Sequence, residues 1–498
     1  MRAWNVMARR LGAAILAGLL SAGGALAQAP PVAGPMRPGN NLSEITQGGN
    51  AATLEARRNL GVQGSPKTNL FTFAPTGGVG MIQTPYTGST PVTTLNIVPF
   101  EAPPHAVRVG FCNPFNVAMT IASASVYPSS NYSNAATVDA NAANVTVVPG
   151  GGGSGNPLYF AFRGADDPRV NDGSYGTTRA FTLPGDATNT GNVARPCAIQ
   201  WTDWGPFSPV ARDDGGVQPL GFIYVTVGGS GGTHTYGALN MNGVFSGAAY
   251  NRGRKILCAI SWNKGIDYAD NPTGTGWAQG PGAGQRCPYV AVQYLTMARG
   301  TQIVVTGDSL SNGPTEDGIS SSVWRAAMDL STPAAPISVA SLAWGSANFS
   351  VFGETARWNL RAIRPGIFIT QALSRTEGGS LQAADTFLGK NETLAAYAFA
   401  TFGTRHIISQ MGGEPSYTGD SAAIAAFNNV LARVRALSTV PETPFIDCLA
   451  AIAQPASPWL YLPGMSNDNT HPNAVAAEAC VGTGSDGLAK AALKKMLN

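Results

Sequence analysis

Charge is scarce in this 498-residue chain: Asp, Glu, Lys and Arg together make up 12% of it. The 31 Lys and Arg nearly balance the 28 Asp and Glu, and no basic cluster stands out. That argues against nucleic acid or an anionic lipid surface as a partner. Histidine occurs four times, scattered, and there is no C-x-x-C, so a zinc site is not expected and no metal ligand set is assigned. Long apolar runs are also missing. The run Leu11–Leu20 is too short to cross a bilayer, and nothing later is longer, so stable membrane insertion is not expected. With 61 Gly and 35 Pro, the composition favours short strands and many turns over long exposed helices.

What is present begins with an export signature. Arg9 and Arg10 precede the apolar run, and Ala25-Leu26-Ala27 is an A-x-A-like cleavage site, so residues 1–27 read as a signal peptide of a secreted or periplasmic protein. Its removal takes away Arg2, Arg9 and Arg10 and no acid, and the formal +3 falls to zero. Six cysteines remain, an even number that suits disulfides in an exported chain. Pairing nearest neighbours gives Cys112–Cys197, Cys258–Cys287 and Cys448–Cys480, although sequence cannot select one map.

Residues 28–65 form a Pro-, Gly- and Asn-rich lead. Within it, Asn40-Asn41-Leu42-Ser43-Glu44-Ile45 and Arg57-Arg58-Asn59-Leu60-Gly61 resemble a segment found near phage tail-fibre domains, which implies a small helical adaptor. The residues equally fit a surface linker with one short helix, Leu54–Leu60. Residues 66–297 read as a β-rich accessory domain, a sandwich or jelly roll. Its strands are expected at Thr93–Val98, Ala106–Phe111, Val145–Val148, Phe222–Val227 and Tyr289–Tyr294. From residue 298 the pattern changes to apolar strands alternating with helical spacing, the mark of an α/β domain with a parallel sheet. Strands are expected at Gln302–Thr306, Ser338–Leu342, Gly366–Thr370, His406–Gln410 and Pro444–Asp447. Helices are expected near Ile319–Leu330, from Asp420 or Ser421 through Val434, and over Gly487–Leu497.

Two motifs carry chemistry. Gly307-Asp308-Ser309-Leu310 follows the apolar strand Ile303-Val304-Val305, and ligands bind at the carboxyl ends of such strands. A serine hydroxyl needs an adjacent base at neutral pH, usually a histidine oriented by a carboxylate. Asp468-Asn469-Thr470-His471-Pro472-Asn473 supplies both within one turn. Together the two motifs resemble blocks I and V of the SGNH (GDSL-type) hydrolases. The resemblance covers about residues 300–498. It implies a flavodoxin-like three-layer α/β/α domain, Ser309 as nucleophile, His471 as general base and then acid, and Asp468 as its orienter.

The resemblance also implies donors for an oxyanion: the N–H of Ser309, that of a block II glycine, and a block III side chain. Asn348 to Thr355 resembles block II, which makes Gly353 the choice and Gly345 the fallback. Block III departs from the family's G-x-N-D. Here Ser374-Arg375-Thr376-Glu377 follows the third strand, placing Thr376 in the Asn slot, with Arg375 as another possible donor. Gly412-Gly413-Glu414-Pro415 is a second candidate, one strand late. A literal G-x-S-x-G at Gly228–Gly232 lacks a following helix, so Ser230 is set aside as a loop serine. His105 and His234 read as ordinary loop residues, and His406, at the start of the fourth strand, as structural.

The expected activity is hydrolysis of carboxylic esters through an acyl-enzyme, with no metal or organic cofactor. Polysaccharide-bound acetyl groups and short-chain or lipid esters are the substrate classes considered. The alternatives are acyl transfer to a sugar, or a surface glycan-binding protein with little or no activity. Oligomeric state is open.

Overall fold

Apolar β-branched runs such as Ile303-Val304-Val305 and Ile367-Phe368-Ile369 have no polar face, so they are stable only where both faces of a sheet are covered. In the computed structural model these runs lie in one eight-stranded sheet, buried on both sides. The structure describes residues 67–74, 86–88, 92–113, 116, 118–129, 158–159, 181–185, 197–202, 204–212, 215–228, 234–236, 239–240, 257–261, 286–287, 289–312, 322–344, 348–373, 377, 379–408, 411–437, 445–482 and 487–497. The proposed leader, the tail-fibre-like segment, the strand Val145–Val148 and Ser230 lie outside them.

Strands β1 (Thr68–Phe73), β2 (Val92–Pro99), β3 (Pro104–Cys112), β4 (Met119–Ser129), β5 (Phe181–Leu183), β6 (Gln200–Trp201), β7 (Gly205–Pro206), β8 (Leu220–Val227) and β9 (Leu257–Ser261) are antiparallel throughout. β9, β2, β8 and β4 lie side by side in a six-stranded sheet, with β5 on β4. The other strands belong to the eight-stranded sheet, whose spine is β10 (Tyr289–Val305). The first half of β10 pairs antiparallel with β1 and β3. Its second half pairs parallel with β11 (Ile337–Ser341) and β12 (Ile367–Thr370), and β13 (Arg405–Ile408) follows β12 in parallel. Residue 298, where the sequence suggests a boundary, therefore falls inside one continuous strand. Phe100 packs edge-on against Phe207 and Tyr294, so residues of both sheets meet in one core.

Buried polar side chains fix the register where the two halves of β10 meet. Gln302 Nε2 donates to the carbonyls of Thr72 and Ser338, each at 3.2 Å, and Ser338 Oγ donates to Thr72 O at 3.1 Å. These bonds tie β1, β10 and β11 together. Gly300 makes room for the turn into the parallel half: a Cβ there would sit 1.9 Å from the Pro336 carbonyl oxygen.

Among the described residues the α-helices are α1 (Ser309–Asn312), α2 (Ser322–Leu330), α3 (Phe349–Ile363), α4 (Leu381–Phe402), α5 (Ser421–Leu437), α6 (Leu449–Ile452), α7 (Ala474–Val481) and α8 (Leu488–Leu497). α2 packs on α7 and α8, and α4 packs between α3 and α5. Arg325 of α2 is buried and pairs with Glu478 of α7, and Lys490 of α8 reaches Asp329 of α2 at 3.1 Å. Of the expected strand Pro444–Asp447, the described residues 445–447 hold a single bridging residue, Phe445, and the chain then turns into α6 at Cys448. It then forms a hairpin of β14 (Ala453–Gln454) and β15 (Ser457–Tyr461) that the sequence reading did not anticipate. Disulfides join Cys112 to Cys197 and Cys448 to Cys480, and the side chains of Cys258 and Cys287 lie outside the description.

Candidate active site

The carboxyl ends of β10, β11, β12 and β13 lie on one edge of the sheet, because the four strands are parallel. Gly307-Asp308-Ser309 leaves β10 at that edge. Gly307 has φ 151, and a Cβ on it would lie 2.4 Å from Ser311 Oγ and 2.6 Å from Gln371 Oε1. Only glycine fits that turn without strain. Ser309 opens α1, where a first-turn N–H has no intrahelical acceptor. The neighbouring amides are already used: Asp308 N–H donates to Gln371 Oε1 at 3.0 Å, and Leu310 N–H to Asp308 Oδ1 at 2.9 Å. The Ser309 N–H lies between these two amides.

Gln371 was not singled out by sequence. It follows β12 directly, is fully buried, and its Oε1 also accepts from Ser311 Oγ at 2.7 Å. Its Nε2 donates to the Leu373 carbonyl at 2.6 Å. One amide thus locks both ends of the serine turn to the next strand.

The second motif folds as a turn that braces itself. Asn469 takes φ 61, a left-handed conformation that asparagine tolerates better than most residues. Asp468 Oδ1 accepts from the amides of Thr470 (2.9 Å) and His471 (2.8 Å) and from Ser466 Oγ (3.2 Å). Asn473 caps α7, accepting from Ala476 N–H at 3.1 Å, while its Nδ2 donates to Gly464 O at 2.9 Å.

This turn brings His471 to Ser309 across 162 residues of sequence: Nε2 lies 2.9 Å from Ser309 Oγ, and Nδ1 lies 2.6 Å from Asp468 Oδ2. Ser309, His471 and Asp468 thus form one hydrogen-bonded row. Partial burial pushes the Asp468 carboxyl upward, but the hydrogen bonds it accepts from the His471 amide, the His471 ring and the Thr470 amide outweigh that and hold it at about 2. It is therefore ionised across the neutral range, as a carboxylate facing an imidazole must be to stabilise the protonated ring.

The remaining expectations fare differently. Gly353 lies inside α3, in its first turns, where a helical N–H faces the carbonyl four residues back. Its lack of a side chain serves packing instead, since a Cβ would sit 2.5 Å from the Phe349 ring. Gly345, Arg375 and Thr376 lie outside the described residues. Glu377, next in the block III stretch, accepts from Phe349 N–H at 2.9 Å and so caps α3. His105 is an exposed strand residue, and His234 and His406 also lie on strands. Among the described residues, no group of His, Cys, Asp and Glu could hold a metal ion.

No protein-family model matches the chain, and neither does any curated protein. Several solved structures resemble parts of it. A GDSL-like lipase from Bacteroides thetaiotaomicron is 13% identical over 40% of this chain and 87% of that one, with a TM-score of 0.29. A family two carbohydrate esterase from Cellvibrio japonicus is 9% identical over 86% of this chain and 99% of that one, with a TM-score of 0.31. A lipase/acylhydrolase from Enterococcus faecalis is 15% identical over 36% and 90%, with a TM-score of 0.28.

Proposed function

We propose that this chain is a serine hydrolase of carboxylic esters with an SGNH-type α/β/α domain, in which Ser309, His471 and Asp468 are the catalytic residues. The observation that carries the proposal is the row Ser309 Oγ, His471 Nε2, His471 Nδ1, Asp468 Oδ2, with links of 2.9 and 2.6 Å. Support for the domain reading comes from parallel strands covered on both faces.

In the proposed reaction, Ser309 Oγ attacks the ester carbonyl while its proton passes to His471 Nε2. The carbonyl oxygen becomes an oxyanion that accepts from the Ser309 N–H. Each such donor is worth about 2.7–4 kcal/mol of barrier. Collapse expels the alcohol, which takes the proton from His471, and leaves an acyl-enzyme. Water, deprotonated by the same nitrogen, then releases the acid and restores the serine. Asp468 holds the ring and balances its charge.

Acetyl esters on polysaccharide and short-chain or lipid esters are the substrates to test. Export behind residues 1–27 is part of the proposal, and the two disulfides support an oxidising compartment. The test is hydrolysis of p-nitrophenyl acetate by purified protein beside a Ser309→Ala control. Turnover by the wild type that the variant lacks supports the reading. Equal rates in both, or none in either, overturn it. Product analysis with an added sugar acceptor separates hydrolysis from acyl transfer.

A further inference from the structure

Gly412-Gly413-Glu414-Pro415 invites assignment to the block III donor, yet the structure places it against the side chain of a residue no motif flags. Tyr461 ends β15 and is buried. Its hydroxyl accepts from Gly413 N–H at 2.8 Å and donates to the Thr470 carbonyl at 3.1 Å. We propose that Tyr461 is a positioning residue for His471, bridging the loop after β13 to the turn that carries the imidazole. The inference rests on the proposed function of His471.

The physical case has three parts. First, a phenol has one proton to give and lone pairs to accept with, and both capacities are spent here on two different loops. Thr470 immediately precedes His471, so a bond to its carbonyl orients the peptide plane from which the histidine extends. The bonds that Asp468 accepts from Ser466 and the His471 amide, and the one that Asn473 donates to Gly464, set the shape of the turn, and the Tyr461 bond moors that shape to the sheet edge.

Second, the approach depends on the paired glycines. A Cβ at 412 would lie 2.7 Å from Leu310 Cδ2 and 3.1 Å from the Tyr461 hydroxyl, and one at 413 would lie 3.0 Å from Tyr461 Cζ and from the Trp459 carbonyl oxygen. Leu310, next to Ser309, and Tyr461, bonded to the residue before His471, thus share a seat made by missing side chains. Third, the backbone that carries the ring is itself held: Gln454 Nε2 donates to the Tyr461 main-chain carbonyl at 3.1 Å. Burial, helped by the Glu414 carboxylate, pushes the phenol well above its usual range, so it stays a donor wherever an esterase would be assayed.

The experiment compares Tyr461→Phe with the wild type by two readouts. In steady-state ester hydrolysis, kcat is expected to fall about tenfold or more while KM stays within about twofold, because misplacing a catalytic group acts on the chemical step. In proton NMR, the low-field resonance of the His471 Nδ1–H bonded to Asp468 is expected in the wild type and lost to solvent exchange in the variant. The second readout needs no turnover, so a wild type that shows the resonance but no esterase activity sinks the functional reading and leaves this one standing. A folded Tyr461→Phe with wild-type kcat and an unaltered resonance overturns the mooring. Should that variant not fold, Gly413→Ala shifts the ring while keeping its hydroxyl. The same losses are expected there, and wild-type values for both readouts overturn the proposal.

Discussion

Gln371→Leu is the substitution that most sharply tests how the proposed nucleophile, Ser309, is held. Leucine fills nearly the same space but offers no acceptor to the Asp308 N–H (3.0 Å) or the Ser311 hydroxyl (2.7 Å). Both donors sit in a buried setting: Asp308 and Ser311 are each no more than 3% exposed. A buried donor left without a partner costs about 1–3 kcal/mol, so the pair predicts a loss of about 2–6 kcal/mol in unfolding free energy. The serine turn, released from β12, loses its alignment with His471, and a displacement on the order of 1 Å costs about a hundredfold in rate. Urea denaturation gives the first quantity and ester hydrolysis the second. Gln371→Glu keeps an acceptor for both donors but loses the Nε2–H given to Leu373, so it should fall between the two. A Gln371→Leu protein within about 0.5 kcal/mol and about twofold of wild type would refute the reasoning.

Asp468→Asn keeps the size of the side chain but presents the wrong partner to Nδ1, and kcat should drop by about a thousandfold or more with folding intact. The same variant gives a pH signature. The folded carboxyl sits at about 2, below its ordinary value, so its stabilisation is fully present above the unfolded value of about 3.9 and is lost as pH falls through about 2. The stability gap between wild type and Asp468→Asn should therefore narrow across that window, and a gap independent of pH contradicts the assignment. Cys448→Ser with Cys480→Ser opens a tether spanning 32 residues, for which chain entropy predicts about 3–4 kcal/mol, readable as a lower urea midpoint. Gly300→Ala should leave little soluble protein, because its Cβ has no place beside Pro336.

The three side chains of the hydrogen-bonded row were legible because their signals are local. A serine directly after an apolar strand, and an acid three residues before a histidine in a turn, need no tertiary knowledge. Gln371 and Tyr461 were not legible, since Gln371 meets the serine turn, and Tyr461 the glycine loop, across at least 48 positions of sequence. Gly353 was chosen on the resemblance to block II, and its place inside α3 was not legible, because the apolar face of α3 overrides glycine's poor helix propensity and the Phe349 ring occupies the vacated space. The helix α4 went unread although Ser380 and Gly403 cap it, its inward face being mostly alanine and asparagine beside Phe387, Leu388 and Leu394. The long β10 looked like two strands because Met297 to Gly300 breaks the apolar run. In the fold that break is where the strand passes from antiparallel to parallel neighbours, with Met297 facing out.

Mass spectrometry of the protein treated with a fluorophosphonate probe addresses the central claim most directly. The account predicts one adduct, on the peptide containing Ser309, that disappears in His471→Ala while the variant remains folded. An adduct on any other serine, or labelling of Ser309 that persists at the wild-type rate without the imidazole, would contradict it.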